Sequence, residues 1–273
     1  MTIRIEDLSK HSYHRPVLDR LSLDIPDREL LALVGPVGSG RGSLLRLIAG
    51  FDQPDSGRIL LDGTDLGRLP PRRRRIGTLF QHDPLFGHAT VAEAVGAAVR
   101  QEDDAPPPEA AVVAARVAHL LDLVGLAEAA GASPTTLSPQ KRHRLAVARA
   151  LAPAPRVLLV GQATPGLDFG HRTPPRRWLR HLHDRLGLTT ILIAQDAEEA
   201  VAIASRIAVL KDGRVEQCGR PAELRRAPAT PLVAELFGGA IPLHPATPSA
   251  FDLPSLARAA APPDQAPWFG HIA

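Results

Sequence analysis

Apolar residues follow strand-like spacing through much of the first third of the chain. Residues 2–34 have the pattern of strands joined by a turn, and residues 57–80 read as short strands separated by Gly and Pro turns. The run Leu30–Val34 is wholly apolar, which indicates a buried strand. Shortly after it, residues 43–50 carry the amphipathic spacing of a helix.

Helical patterns dominate the middle of the chain. The stretch from Thr90 to about Leu126 is Ala-rich and helical, and Glu102–Pro108 interrupts it with acidic and Pro residues. After Asp168, helical and strand patterns alternate, as a parallel sheet requires. From Gly238 onward prolines are frequent and regular patterns are lost, so residues 239–273 are expected to form a flexible tail. We therefore predict an α/β fold with a helical subdomain that contains a surface loop.

The wholly apolar strand runs directly into a glycine-rich segment. Gly35 and Gly40 supply the frame of the motif G-x-x-x-x-G-K-[ST], with Gly38 between them. In this motif the backbone curls around phosphate oxygens, and the N-terminus of the following helix adds its amides and its dipole. Strand, loop and helix follow one another as the motif requires, which predicts a nucleotide-binding loop. Its positions are Gly35, Pro36, Val37, Gly38, Ser39, Gly40, Arg41, Gly42 and Ser43.

Two positions of this loop lack the expected chemistry. The motif places a Lys where it can reach the β- and γ-phosphates, followed by a Ser or Thr that holds Mg²⁺. The chain has Arg41 and Gly42 at these positions. The loop thus has the frame of a phosphate site without its usual cation and metal ligand.

Over about residues 1–238, the chain resembles the ATP-binding-cassette (ABC) transporter ATPases. Further segments match motifs of that family and have the same spacing. They are Gly50–Gly63 after the loop, Thr78–Gln81 as the Q-loop, Leu137–Leu151 as the signature helix, Pro155–Val160 as the Walker B strand, Gly166–Asp168 as the D-loop and Ile193–Ala200 as the switch region. Arg176–Asp184 and Gly213–Gln217 are most similar to importer subunits for sulfate or thiosulfate. The resemblance implies a P-loop NTPase core with a central, mainly parallel sheet, flanking helices and an antiparallel β part. It also implies an inserted helical subdomain at about residues 88–153.

None of the family's catalytic positions is intact. After the Walker B strand the family has Asp-Glu, which organise Mg²⁺ and activate the attacking water. Here these positions are Gly161, which offers no ligand, and Gln162, whose amide can orient a water but hardly accept a proton. The His of the switch region is replaced by Gln195, which can still form hydrogen bonds but cannot take up or release a proton near neutral pH.

The signature is also altered. The family's Leu-Ser-Gly-Gly-Gln closes over the nucleotide of a partner subunit, whereas this chain has Leu137 followed by Ser138, Pro139, Gln140 and Lys141. Proline is accepted in the first helical turn, so the helix is expected to persist while a phosphate-facing donor is lost. The side chain of Gln140 is expected to obstruct close approach of the nucleotide.

Other family positions are retained. Gln81 matches the Q-loop and Asp168 the D-loop, and residues 82–90 resemble the segment that receives a coupling helix from the membrane subunit. The aromatic that stacks on adenine aligns with Ser12, and the neighbouring Tyr13 is a candidate to replace it.

Composition limits the setting of the protein. The chain has 273 residues and a single cysteine, Cys218, so no internal disulfide can form. No apolar run approaches the roughly 18 residues of a membrane span and no signal peptide begins the chain, which predicts a cytoplasmic protein. The net charge is only +3, and the family's equivalent of the cationic run Pro70–Arg75 is a solvated loop. We therefore expect no nucleic-acid partner.

These observations favour an ABC-importer nucleotide-binding subunit that has lost ATP hydrolysis. ATP is expected to bind weakly and Mg²⁺ poorly, and the partners implied by the family are membrane subunits and a second ATP-binding subunit, in a homodimer or a heterodimer. Two alternatives stay open. One is an active importer ATPase that uses Arg41, Ser43 and Asp168 as displaced catalytic residues. The other is a non-catalytic regulator that docks on the membrane subunits.

Overall fold

The chain folds as two compact units. The computed structural model describes residues 2–13, 15–79, 89–100, 109–161 and 174–238, with the backbone alone for residues 174–177. Among these residues, the first unit comprises residues 2–13, 15–76, 157–161 and 174–238, and the second comprises residues 77–79, 89–100 and 109–156.

Within these ranges, strands and helices mostly occur in groups, and they alternate regularly only between residues 157 and 211. The described residues form ten strands, at Ile3–Ser12 (β1), Arg15–Ile25 (β2), Leu30–Val34 (β3), Ser56–Leu61 (β4), Thr64–Asp65 (β5), Ile76–Leu79 (β6), Val157–Val160 (β7), Thr189–Ile193 (β8), Arg206–Lys211 (β9) and Arg214–Gly219 (β10). They also form eight α-helices, at Arg41–Ala49 (α1), Val91–Val99 (α2), Ala110–Leu123 (α3), Pro139–Leu151 (α4), Pro174–Leu186 (α5), Ala197–Ile203 (α6), Pro221–Arg226 (α7) and Pro231–Phe237 (α8). No helix in these ranges is both long and apolar enough to cross a membrane.

A mainly parallel sheet forms the centre of the first unit. Its strands within that unit lie in the order β10-β9-β3-β8-β7, and β9, β3, β8 and β7 are parallel to one another. Every residue of β3 and β8 is buried, as expected for parallel strands that are covered on both faces. The antiparallel β10 closes one edge.

A smaller antiparallel sheet completes this unit, in the order β2-β1-β4-β5. Its strands alternate buried and exposed residues, so one face supplies apolar side chains such as Ile3, Ile5 and Leu23 to the core. The predicted mainly parallel sheet and antiparallel β part are both present.

The second unit is helical. Helix α2 begins with a capping box in which Thr90 and Glu93 satisfy each other's backbone amides. Its first turn is also held by Val91 and Ala92, whose amides donate to the carbonyls of Ala132 and Ala130. Helices α2 and α3 lie where the Ala-rich pattern predicts them, and residues 101–108 lie outside the described ranges.

Helix α1 begins two residues earlier than the sequence pattern predicts. Gly40 precedes it with a φ of 95° and a left-handed conformation, and the helix starts at Arg41 rather than at residue 43. The low helix propensity of Gly42 suggests the later start, but the turn of the loop fixes the backbone here.

The cationic run before β6 is not wholly solvated, which corrects the expectation for Arg74. This side chain is only 2% exposed, and it donates from Nη1 to the carbonyls of Leu47 (2.7 Å) and Ile48 (2.9 Å). It also donates from Nε to the carbonyl of Leu69 at 3.0 Å. The last carbonyls of a helix lack partners within the helix, and a cation there is favourable. Arg74 therefore caps the C-terminus of α1, while Arg72 and Arg73 are exposed.

Candidate phosphate-binding site

The candidate site lies where three parallel strands of the first unit end. Leu33 of β3 is paired with Ile193 of β8, and Val160 of β7 is paired with Leu192 of β8. The glycine-rich loop and Gly161 follow their strands directly, and Gln195 follows β8 after Ala194, so they share one edge of the sheet. This is the edge at which open α/β sheets bind ligands.

The loop between β3 and α1 turns tightly at two glycines, as a phosphate-binding loop requires. Gly38 and Gly40 have φ values of 84° and 95°, and the amide of Ser39 donates to the carbonyl of Pro36 at 3.1 Å. A Cβ added to Gly40 would lie 2.5 Å from the carbonyl oxygen of Val17, so only glycine fits. Because a helix N-terminus favours anions, this loop and the start of α1 together form a candidate anion site.

Two side chains of the loop have opposite environments. Val37 is fully exposed, while Ser39 is only 3% exposed. The Ser39 Oγ is buried and has no hydrogen-bond partner among the described residues. Buried hydroxyls are normally satisfied, so this atom is a candidate to bind a ligand.

Arg41 connects the loop to the end of β8. Its Nη1 donates to the carbonyl of Ala194 at 3.0 Å, and its Nη2 lies 3.5 Å from the carbonyl of Pro36. Partial burial lowers the pKa of the Arg41 guanidinium. A cation is therefore present at the expected place, but its hydrogen bonds go to backbone oxygens.

The residues present do not fit the Mg²⁺ that this motif usually binds. Gly42 is exposed, and a Cβ added there would meet nothing within 4 Å. Gly161 is buried and carries no side chain. In the described part of the chain, no group of three His, Cys, Asp or Glu could hold a metal ion. The usual hydroxyl and carboxylate ligands are thus missing from both positions.

The switch position lies in a helix cap. Gln195 is exposed, and its backbone amide donates to Glu199 Oε2 at 2.7 Å. Asp196 caps α6 by accepting from the amide of Glu199, also at 2.7 Å. The two carboxylates beside Gln195 therefore already accept backbone hydrogen bonds.

The altered signature begins α4 in the second unit. The helix starts at Pro139 as predicted, and Ser138 caps it by accepting from the amide of Lys141 at 3.3 Å. Gln140 and Lys141 are exposed. Their effect on a partner's nucleotide stays a prediction.

The remaining predicted residues are not brought to the site by an observed contact. Tyr13 is 96% exposed in the turn between β1 and β2, and its stacking role stays a prediction. Gln81, Gln162 and Asp168 lie outside the described residues, as do residues 82–88 of the segment resembling a coupling-helix seat.

Comparison with known proteins identifies the family of this site. The ABC transporter family model matches residues 18–164, more than half of the chain. The chain belongs to the ABC transporter family. It is 42% identical over 240 residues to the sulfate/thiosulfate import ATP-binding protein of Acinetobacter baylyi, covering 88% of this chain and 68% of that protein. The same identity holds for the Escherichia coli protein of that name, with 87% and 65% covered. The chain thus spans about two thirds of the length of these relatives.

A solved structure of an ABC cassette confirms the predicted fold class. The dimeric post-hydrolysis state of an ATP-binding cassette bound to ADP and Pi superposes with a TM-score of 0.67 and 26% identity, covering 80% of this chain and 98% of that one. Nucleotide-free and ADP-bound cassettes at 20% identity share the fold as well.

One residue that supports this ABC loop is missed by the sequence interpretation. Asp212 and Gly213, with φ values of 49° and 75°, form the two-residue turn between β9 and β10. A Cβ added to Gly213 would lie 2.6 Å from the carbonyl oxygen of Val17, which also contacts Gly40. The Asp-Gly pair between two apolar runs is a hairpin signal that predicts this turn, but it does not show what the turn contacts.

Substitution of Gly213 should therefore disturb the loop from a distance. We expect Gly213→Ala to lower the free energy of unfolding by about 1–3 kcal/mol, because the new methyl group meets backbone and the φ is left-handed. The change should also weaken nucleotide binding, because the Val17 carbonyl packs against both glycines and Gly213 Cα would lie 3.6 Å from a Cβ at Gly40. Chemical denaturation and a fluorescent-nucleotide titration measure the two effects. Gly63→Ala is the control, since its φ of 80° is similar and its Cβ would meet nothing within 4 Å.

Proposed function

We propose that this chain is the ATP-binding subunit of a sulfate or thiosulfate importer that binds nucleotide phosphates and has lost ATP hydrolysis. One contrast at the site carries the proposal. The loop from Gly35 to Gly40 keeps the backbone that holds phosphates, whereas Arg41, Gly42 and Gly161 replace groups that act on them. The solute class is taken from relatives that are named for sulfate and thiosulfate import.

Loss of hydrolysis follows from ligand and acid–base chemistry. Gly42 and Gly161 carry no group that can bind Mg²⁺, and Gln162 and Gln195 cannot take up a proton as carboxylate and imidazole do. Removing one preorganised donor costs about 10²–10³ in rate, and residues that act as a unit fail together. These replacements together bring the expected turnover to background.

The partners we propose are the membrane subunits of the importer and a second ATP-binding subunit. Residues 1–238 would form the nucleotide-binding domain, with its helical subdomain at about residues 88–153 and the tail at residues 239–273. In a homodimer both sites would contain the altered loop and signature. A heterodimer with an intact partner would place an unaltered loop against Pro139 and Gln140. The protein would lie at the cytoplasmic face of the membrane through these partners.

An importer assay tests the proposal. The chain is produced with the membrane subunits of a sulfate/thiosulfate importer in cells that lack that importer's own ATP-binding subunit. We expect it to co-purify with these subunits but to support less than about 1% of the uptake of labelled sulfate, because even one lost donor costs about 100-fold. The Escherichia coli relative serves as the competent control, and the membrane subunits of an unrelated importer control for specific association.

The other outcomes separate the remaining possibilities. Uptake close to that of the control would favour an active ATPase with displaced catalytic residues. Reduced uptake when the chain is added to a competent importer would favour a regulator. Failure to co-purify, despite soluble expression, would contradict the assignment to this importer.

A further inference from the structure

Arg41 is a half-buried cation that has no anionic partner among the described residues. Its hydrogen bonds within the described residues go to the carbonyl oxygens of Ala194 and Pro36, at 3.0 Å and 3.5 Å, and none goes to a carboxylate. A guanidinium makes its strongest hydrogen bonds to carboxylate or phosphate oxygens, which it contacts through two nitrogens. The guanidinium therefore lies beside the candidate phosphate loop, and the described part of the chain offers it no carboxylate.

Ser39 gives an independent sign of a ligand in the same loop. Ser39 is only 3% exposed, and its Oγ has no hydrogen-bond partner among the described residues. The atom lies inside the loop, since a Cβ added to Gly35 would be 3.0 Å from it. A hydroxyl here can donate to a phosphate oxygen, which removes the cost of leaving it buried without a partner.

The same site offers little to a metal ion. Gly42 leaves open space where a hydroxyl would hold Mg²⁺, and Gly161 supplies no carboxylate. The neighbouring carboxylates of Asp196 and Glu199 accept backbone hydrogen bonds in the cap of α6. If a nucleotide entered the site with Mg²⁺ bound, none of these positions would supply a protein ligand to the metal.

We infer that Arg41 makes this loop select the metal-free form of a nucleotide's polyphosphate chain, so that Mg²⁺ weakens binding. The inference rests on the proposed function, because it specifies which form of nucleotide the same site takes. Mg²⁺ neutralises part of the negative charge on the phosphates, which weakens their attraction to Arg41 and the loop amides. Gly42 and Gly161 do not compensate for this loss, because they carry no side chain that can bind the metal. Arg41 is thus a specificity-determining residue, and Ser39 is a second donor to the phosphates.

The test is an equilibrium titration of the unmodified protein. A fluorescent ATP analogue is added in EDTA and, separately, in excess MgCl₂, with ionic strength matched because salt screens exposed charges. We expect roughly 3- to 10-fold tighter binding in EDTA, the size of one partly exposed charge interaction. Tighter binding in MgCl₂ would overturn the inference. Absence of binding in both buffers would instead overturn the proposed function.

Inorganic triphosphate serves as a competitor and separates two sources of the preference. It should displace the analogue better in EDTA than in MgCl₂, because the selected group is the phosphate chain. If ATP shows the preference and triphosphate binds without it, the nucleoside carries the selection and the assignment to Arg41 is wrong.

Variants assign the effect to residues. Arg41→Gln should weaken metal-free binding by roughly 10- to 100-fold and abolish the preference for metal-free nucleotide, since it removes charge-assisted hydrogen bonds to the phosphates. Arg46→Gln is the matched control, because Arg46 is an exposed cation on the same helix and should leave both affinities unchanged. Equal weakening by both variants would indicate a general effect of charge and contradict the role of Arg41.

Two further changes probe the other groups. Ser39→Ala should weaken binding about 3-fold or more without lowering the denaturation midpoint, because it removes an unsatisfied hydroxyl. Gly42→Ser with Gly161→Asp should reverse the preference, so that MgCl₂ strengthens binding. Gly131→Ser is the control, since Gly131 is also exposed with open space at its Cβ. A preference for EDTA that survives the double change would contradict the explanation from missing ligands.

Discussion

Purified alone, the protein should release no phosphate from ATP above a buffer control. This expectation has the largest effect in rate, because active enzymes typically turn over at about 1–10³ per second. The planar guanidinium of Arg41 differs in shape from the compact ammonium of Lys. In addition, neither Gly42 nor Gly161 has a side chain that can bind Mg²⁺. A phosphate-release assay with and without Mg²⁺ measures the turnover.

Restoring the missing groups should recover part of the activity only when several are restored together. The set is Arg41→Lys, Gly42→Ser, Gly161→Asp and Gln162→Glu, and each change made singly should leave turnover at background. Gly42→Ser has room, because a Cβ there meets nothing within 4 Å. Gly161→Asp introduces a carboxylate at a buried position, so the denaturation midpoint of the variant should be measured beside its activity.

The signature predicts a further requirement. Because the family pairs one subunit's loop with the other's signature, the restored chain should work only beside a subunit that carries Leu-Ser-Gly-Gly-Gln. Mixing it with such a partner, itself inactivated at its Walker B carboxylates, isolates the composite site. Turnover near 1 per second by the unmodified chain would contradict the inactive-subunit proposal.

The sequence predicts the site's backbone well, because local rules determine it. A wholly apolar run before two glycines requires a buried strand and a turn, and β3 occupies Leu30–Val34 as predicted. Pro139 begins α4 as predicted, since proline is favoured in the first turn. The family is confirmed for the same reason, because the spacing between motifs reflects the order of strands and loops.

Contacts between distant segments could not be predicted in this way. Four consecutive arginines look alike in the sequence, and only the fold brings Arg74 rather than its neighbours to the end of α1. Likewise, the contact of Gly213 with Val17 depends on the packing of two sheets. The carbonyl partner of Arg41, Ala194, lies 153 residues further along the chain. Residue type alone would not reveal these contacts, and each of them gives its residue a structural role that the sequence does not indicate.

Replacing Arg74 should give the largest loss of stability among single substitutions considered for the first unit. The guanidinium is 2% exposed and donates to three carbonyl oxygens, those of Leu47, Ile48 and Leu69. Burial lowers the pKa of this guanidinium, and the charge of Asp65 partly offsets that effect. Arg74→Leu keeps an apolar stem but leaves these acceptors without the side chain's donors. The cost of such unsatisfied groups is about 1–3 kcal/mol each, with incomplete additivity.

We therefore expect Arg74→Leu to lower the free energy of unfolding by about 3–5 kcal/mol, measured by urea denaturation. Arg74→Lys should lose less, about 1–2 kcal/mol, because it keeps the charge but cannot form the same fork of hydrogen bonds. Arg68→Ala is the matched control, since that side chain is 88% exposed and its ion pair with Asp65 spans 4.0 Å. Its cost should stay below about 1 kcal/mol. An equally small cost for Arg74→Leu would mean that water reaches the end of α1, and Arg74 would then not be needed to cap the helix that follows the candidate phosphate loop.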